Sequence, residues 1–282
     1  MRFPWQKTWL DALEKSLTKT VASPLGDELP AFPPDEVQIR TVGLQGKRAL
    51  REAAAYMESC VSYFKSSPQW QSPDKRLLDF GTGWGRIARC FLRDFKGRNI
   101  VGIDVDPSLL EMCRANFSTG QFLQSEPLPP LRCRFNDQDP QEFPASGTDF
   151  IVAYSVFSHL SQQACQAWVN EFHRILSPGG MVAATTRGRW FFDTAQAYQS
   201  TGATGYHKGL AEMFEDFDEA RARYDAGQLV HANSALIGDG QHYGETFIPE
   251  GFVREHFGQL FEVVAFHQEK RVHPVIILRK RA

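Results

Sequence analysis

Cysteine is scarce in this 282-residue chain, and the five present, Cys60, Cys90, Cys113, Cys133 and Cys165, are odd in number and never in a Cys-x-x-Cys spacing. This argues against a disulfide framework or a zinc ribbon and for buried thiols in a reducing cytoplasm. No run of about 18 apolar residues occurs, so no membrane span is expected, and Arg2 is not followed by the continuous apolar stretch of a signal peptide. Charge of one sign is missing too. Lys+Arg 31 against Asp+Glu 33 leaves a net charge of -2, without a basic run to follow a phosphate backbone, so nucleic acid is not an expected partner.

The chemistry that is present is concentrated in one place. Leu77-Leu78-Asp79-Phe80-Gly81-Thr82-Gly83-Trp84-Gly85 joins a buried strand to a glycine turn, and Asn99-Ile100-Val101-Gly102-Ile103-Asp104 reads as a second strand ending in a carboxylate. Glycines at a strand end let the backbone turn sharply and approach a ligand closely, and an acid about 20 residues further on can accept both ribose hydroxyls. A dinucleotide fingerprint would need a third glycine where Arg86 stands, and no diphosphate-binding lysine follows. The spacing Asp79-x-Gly81-x-Gly83-x-Gly85 suits a cationic, phosphate-free ligand.

At these residues the chain resembles the class I S-adenosylmethionine-dependent methyltransferases, and the resemblance runs through residues 75–187. It includes Tyr154-Ser155-Val156-Phe157-Ser158-His159-Leu160 after the fourth strand, and the block from Glu171 to Gly180, EFHRILSPGG, which is similar to the family's helix, Leu-x-Pro-Gly-Gly turn and fifth strand. The stretch is also similar to small-molecule methyltransferases of glycan or secondary-metabolite pathways. The resemblance implies S-adenosyl-L-methionine as cofactor, with Asp79, Phe80, Gly81, Thr82, Gly83 and Gly85 forming its loop and Asp104, beside Val105, taking the ribose. Asn136 and Asp137 stand where the family contacts the adenine, and Tyr154 and Ser155 complete the cofactor set.

The expected fold is α/β: a Rossmann-like seven-stranded sheet with helices on both faces and an insertion after strand five that forms a lid. Short apolar strands are expected at residues 76–80, 99–104, 131–135, 150–154 and 181–185, alternating with helices that begin near Gly85, Pro107 and Ser161. By resemblance, strands at 261–267 and 275–279 add an antiparallel hairpin. Four segments follow from this pattern: 1–74 as an N-terminal helical segment and linker covering the active site, 75–188 as the cofactor-binding core, 189–247 as the insertion on the acceptor side, and 248–282 completing the sheet. Trp5, Trp9, Leu13 and Leu17 recur at helical spacing, giving an apolar face that packs on the body or on a second subunit, a candidate homodimer contact. Residues 210–224 read as one helix, and its acids Glu212, Glu215, Asp216, Asp218 and Glu219 read as a solvated face.

Methyl transfer from a sulfonium is an in-line displacement, so much of the acceleration can come from aligning the acceptor in a closed, dry pocket. No carboxylates follow the fourth strand to hold magnesium, so a metal-independent reaction is expected. The signatures of nucleobase-amino and cytosine-ring enzymes are absent as well. His159 is the candidate general base, since an imidazole near its unperturbed pKa of about 6.5 suits that work. His242 and Tyr243 are candidate catalytic and acceptor contacts, and Arg187, after the fifth strand, could bind an acidic acceptor. Two function classes stay open: methyl transfer to oxygen, less readily nitrogen, of a small polar metabolite or sugar, and a cofactor-binding partner or sensor without turnover.

Overall fold

The computed structural model describes residues 4–133, 141–233, 242–268 and 273–281, with the side chains of residues 4–7 left aside. Seven strands, β1 (Leu77–Phe80), β2 (Ile100–Asp104), β3 (Gln121–Gln124), β4 (Thr148–Ala153), β5 (Leu176–Thr185), β6 (Phe261–His267) and β7 (Val275–Lys280), form one mixed sheet in the order β3-β2-β1-β4-β5-β7-β6. β1 pairs in parallel with β2 and β4, and β2 with β3, whereas β7 is antiparallel to both β5 and β6. Every residue of β1 and β4 is buried, as expected for parallel strands covered on both faces.

The chain divides into two compact units, residues 1–126 with 131–152, and residues 127–130 with 153–282. In the first, α3 (Gly46–Phe64) lays Ala49, Ala53, Met57, Cys60 and Phe64 inward at helical spacing, and the Phe64 ring meets Phe150 of β4 at 4.7 Å. On α1 (Pro4–Lys15), Trp9 and Leu13 are buried within this unit and Leu17 is half-buried, so the chain itself covers part of the apolar face read as a candidate dimer contact; the Trp5 side chain lies outside the described ones. The proline-rich stretch at residues 23–34, between α1 and α2 (Asp35–Val42), is an ordered loop. Asp27 ties it down by accepting from Gly97 N at 2.8 Å and Thr119 Oγ1 at 2.7 Å. All five cysteines are buried.

In the second unit α6 (Gln162–Ile175) starts at Ser161, whose hydroxyl accepts from Ala164 N at 3.3 Å, and ends where Lys280 Nζ donates to the carbonyls of His173 and Leu176 at 2.6 and 2.8 Å. β5 begins earlier than expected, at Leu176, with Gly179 (φ +75°) turning the chain inside it. The insertion folds on its own aromatic core: Phe191 and Phe192 of α7 (Trp190–Ala197), Leu210 of α8 (Gly205–Ala211), Phe217 and Tyr224 of α9 (Phe217–Asp225), and Phe247. The single helix expected over 210–224 is two, because Asp216 caps a new helix by accepting from Asp218 N and Glu219 N at 2.7 and 3.0 Å. The acids Glu212, Glu215, Asp216, Asp218 and Glu219 are exposed. No helix among the described residues is long and apolar enough to cross a membrane.

The third strand also departs from expectation. The apolar run at 131–135 contributes Arg132–Cys133 to a two-residue ladder with Gln141–Glu142, while the strand beside β2 is Gln-Phe-Leu-Gln at 121–124. Its alternation is shallow because β3 is an edge, and it follows α5 (Pro107–Asn116) after a turn at Gly120, the short connection that βαβ units favour. The β2–β3 contact is tight at Gly102, where an added Cβ would lie 2.6 Å from the Phe122 ring and 2.8 Å from Thr82 Oγ1. Gly102→Ala is therefore expected to lower unfolding free energy by about 1–3 kcal/mol in urea titrations, the range of core overpacking; an unchanged midpoint would show that β3 yields freely.

Candidate functional site

The glycine loop is built from beneath by a buried acid. Asp79, 1% exposed, accepts from Thr82 Oγ1 at 2.8 Å and from Ala88 N at 3.1 Å, joining the end of β1 to the first residue of the one-turn helix α4 (Ala88–Phe91). Burial pushes its carboxyl up to about 7, against the two hydrogen bonds, which favour the ionised form. Gly81 N and Thr82 N both donate to Ile103 O at 2.9 Å, stitching the turn to β2. Gly81, Gly83 and Gly85 all have positive φ, a region glycine occupies without a Cβ penalty. A Cβ on Gly85 would run into the Phe117 ring, whereas one on Gly83 would stand in open space, so the loop is close-packed below and clear above Gly83.

Asp104 ends β2 facing this clear space. One carboxylate oxygen accepts from Gly83 N at 2.7 Å and the other from Asp106 N at 3.0 Å. A carboxylate offers about four lone-pair sites, so each oxygen retains an acceptor position for a ribose hydroxyl. Burial raises the Asp104 pKa, and the backbone N–H bonds oppose that rise. The side chains of Asp79, Phe80 and Thr82 are buried beneath the loop, leaving only their backbone to meet a ligand, while Val105 is exposed. Asn136 and Asp137 lie outside the described residues. These groups fit a nucleoside with free ribose hydroxyls.

The second unit carries the other candidates. Tyr154 and Ser155 follow β4 half-buried, and Ser155 holds a left-handed conformation, φ +60°, fixed by its N–H bond to Thr185 Oγ1 at 2.7 Å. Residues held there carry strain and are over-represented at functional sites. The segment after it runs antiparallel to residues 242–246: Thr246 N donates to Ser158 O at 2.8 Å, Gly244 N to His159 O at 2.7 Å and Ser161 N to His242 O at 2.9 Å. This ladder brings His159, His242 and Tyr243 together, with the His159 and Tyr243 rings stacked at 5.0 Å.

His159 is not the ordinary imidazole that the sequence suggested. Its Nδ1 lies 2.8 Å from Gly244 O, an acceptor, so Nδ1 carries the proton and Nε2 is the basic nitrogen. Burial lowers its pKa to about 4, outweighing the raising effect of Glu245, whose Oε1 is 3.7 Å away. Arg187 likewise differs from an exposed strand-end cation. It is buried, with Nε and Nη2 both 2.9 Å from Glu245 Oε2, Nη2 donating to Tyr206 Oη at 3.0 Å and Cζ 4.2 Å from the Phe191 ring centroid. Tyr206 in turn donates to Glu245 Oε1 at 2.9 Å. The guanidinium is thus spent on an internal carboxylate. Glu245, fully buried, and Tyr206 were not foreseen; their partners are distant in the chain, and no local motif marks them.

Residues 77–180 match the family described as a methyltransferase domain. An uncharacterized methyltransferase of Oceanobacillus iheyensis is 25% identical over 150 residues, 52% of this chain and 62% of that protein. A tRNA N(3)-cytidine methyltransferase of Gallus gallus is 23% identical over 171 residues, 60% of this chain and 38% of that protein. The chain spans less than two thirds of the length of these curated relatives. Among solved structures, an S-adenosylmethionine-dependent methyltransferase from Clostridium acetobutylicum ATCC 824 superposes with a TM-score of 0.51 at 10% identity, covering 88% of this chain and 97% of that one. Sheet order and glycine loop define a Rossmann-like methyltransferase fold. With the domain match, they make residues 77–180 a methyltransferase domain, for which S-adenosyl-L-methionine is the methyl donor.

The raised Asp79 pKa has a definite sign. A carboxyl that titrates near 7 when folded and near 3.9 when unfolded contributes stability below about pH 4 that is lost as pH rises through about 7. Asp79→Asn keeps an acceptor for Thr82 and Ala88 without the charge, so its stability relative to wild type should rise between about pH 4 and 7. Urea midpoints that move in parallel across this range would rule the shift out.

Proposed function

We propose that the chain transfers the methyl group of S-adenosyl-L-methionine to an oxygen, less readily a nitrogen, of a small polar metabolite or sugar, without a metal ion. The observation that carries the cofactor half is Asp104: a partly buried carboxylate at the end of β2, held by the N–H of Gly83 and beside the open space over that glycine. When bound, the cofactor supplies an electrophilic methyl on a sulfonium. Asp104 binds the ribose, the backbone of residues 80–85 lines the nucleoside, and Asp79 and Thr82 keep the loop in shape from below. Asn136, Asp137, Tyr154, Ser155 and Val105 are proposed to complete the site by family resemblance.

On the acceptor side we place His159, Tyr243 and His242. At neutral pH His159 is uncharged and points its basic nitrogen away from Gly244, so it can accept a hydrogen bond from a hydroxyl. With a pKa of about 4 it is a weak base, better suited to orienting the hydroxyl than to removing its proton early, and alignment carries most of the acceleration. Arg187 contributes by holding Glu245, beside His159, rather than by binding an acidic acceptor. The metal-free reading is supported by Tyr154-Ser155 in place of carboxylates after β4, and among the described residues no group of three or more His, Cys, Asp or Glu could hold an ion. The tRNA substrate of the Gallus gallus relative is not carried over, since a net charge of -2 gives no electrostatic reason to expect nucleic acid.

Calorimetry with the demethylated cofactor should show Asp104→Ala weakening binding at least about tenfold, the loss of charge-assisted hydrogen bonds. Unchanged affinity in a folded variant would overturn the assignment. Mass detection of methylated products from a panel of small hydroxylated acceptors tests turnover itself. Turnover should be insensitive to chelator and flat from about pH 6 to 8, because His159 stays neutral there. His159→Ala should lower it by about tenfold to a hundredfold with cofactor affinity intact. A rate that climbs through a pKa near 6.5 and loses that limb in His159→Ala would instead restore the histidine as an ordinary general base.

A further inference from the structure

Among the described residues of the first unit, Arg89 is the one cation that the fold buries without giving it an anion. It lies on α4 with its side chain 1% exposed, and its own N–H closes the last turn of the glycine loop on Gly85 O at 3.1 Å. Nη2 donates to Ser16 Oγ at 2.7 Å, and that hydroxyl passes its own proton to Leu13 O at 2.6 Å, so Ser16 is a neutral partner. The face of the guanidinium lies 4.2 Å from the Phe32 ring centroid. Nε and Nη1 are buried with no hydrogen-bond partner, and no carboxylate among the described residues forms an ion pair with this side chain. The arginines that flank α4 show the contrast, for Arg86 before it is paired with Glu52 and Arg93 after it with Glu58.

Burying a guanidinium with most of its donors unused is costly, and proteins seldom do it without an anion close by. Nη2 shares one edge of the guanidinium with Nε and the other with Nη1, and Ser16 takes only one of its two N–H groups, so one edge stays free to hold a carboxylate through two parallel N–H···O bonds, the geometry for which arginine is best suited. The surroundings favour a carboxylate on a small organic molecule over an inorganic ion. Phe32 packs one side of the guanidinium and also meets Trp84, between Gly83 and Gly85, edge to face at 4.9 Å, so the cation lies one ring away from the loop. We infer that Arg89, with Ser16 and Phe32, is a receptor for the carboxylate of a small-molecule ligand bound at the glycine loop. Two ligands of the proposed reaction could bring that group: the amino-acid tail of the methyl donor, which carries its only carboxylate, or an acidic acceptor. The inference rests on the proposed function only in its choice of ligands.

The test compares ligands that differ in the carboxylate alone. S-adenosylhomocysteine and its decarboxylated analogue are titrated by calorimetry into wild type, Arg89→Gln and Arg89→Lys, and thermal unfolding of the same proteins is followed in malonate at constant ionic strength. A cofactor carboxylate predicts that wild type prefers the carboxylated ligand by at least about tenfold, and that the preference falls below about twofold in Arg89→Gln and is intermediate in Arg89→Lys, which keeps the charge but not the planar edge. A carboxylate from the acceptor predicts an equal preference in all three proteins together with a rise of about 2–4 °C in wild-type Tm with malonate that is absent from Arg89→Gln. Equal preference and equal response to malonate throughout would overturn the inference and leave Arg89 as packing against Phe32. If Arg89→Gln fails to fold, Arg89→Lys decides by the same two comparisons. Failure of wild type to bind S-adenosylhomocysteine would count against the proposed function, while the malonate arm would still decide on Arg89.

Discussion

A carboxylate shut away from water under the glycine loop organises the first unit. Asp79 must find donors where it is buried, and the two it finds, the Thr82 hydroxyl and the Ala88 amide, belong to the turn and to the helix that follows it. Strand, turn and helix are thereby fixed to one side chain. The turn then presents Gly83 N to Asp104, and Asp104 is oriented by that amide and by Asp106 N before any ligand arrives. Preorganisation of this kind lowers the ordering cost of binding.

The second unit solves a similar problem with an ion pair. Glu245 has no access to solvent, and it is satisfied by Arg187 from the end of β5 and Tyr206 from α8. Breaking such a pair strands a buried charge, so Arg187, Glu245 and Tyr206 act as one unit. The ladder between residues 158–161 and 242–246 rests on the same carboxylate and places the His159 ring against Tyr243. The histidine is thus dry because a segment more than eighty residues later in the chain covers it.

That separation explains what could and could not be read from the residues alone. The glycine loop, Asp104 and the cap at Ser161 are local features, dictated by backbone conformation and by neighbours a few positions away, and they stand where expected. β3 was misplaced because Gln-Phe-Leu-Gln has only two apolar residues and the run at 131–135 has more; topology, not hydrophobicity, chose the edge strand. Arg187 and Glu245 lie 58 residues apart, and nothing near either announces the other. The environment of His159 was illegible for the same reason, so its position could be anticipated and its acidity could not.

The order of the last three strands bears on how the chain is made. β7 is synthesised after β6 yet lies between β6 and β5, and Lys280 of β7 supplies the donor that closes the open carbonyls at the end of α6. Until β7 leaves the ribosome, β5 therefore exposes an unpaired edge of Met181 to Thr185, and α6 lacks its terminal cap. Apolar strand edges of this kind invite pairing with other chains. Completion of the second unit therefore waits for β7, and nascent chains stalled between β6 and β7 are the ones that would need a chaperone.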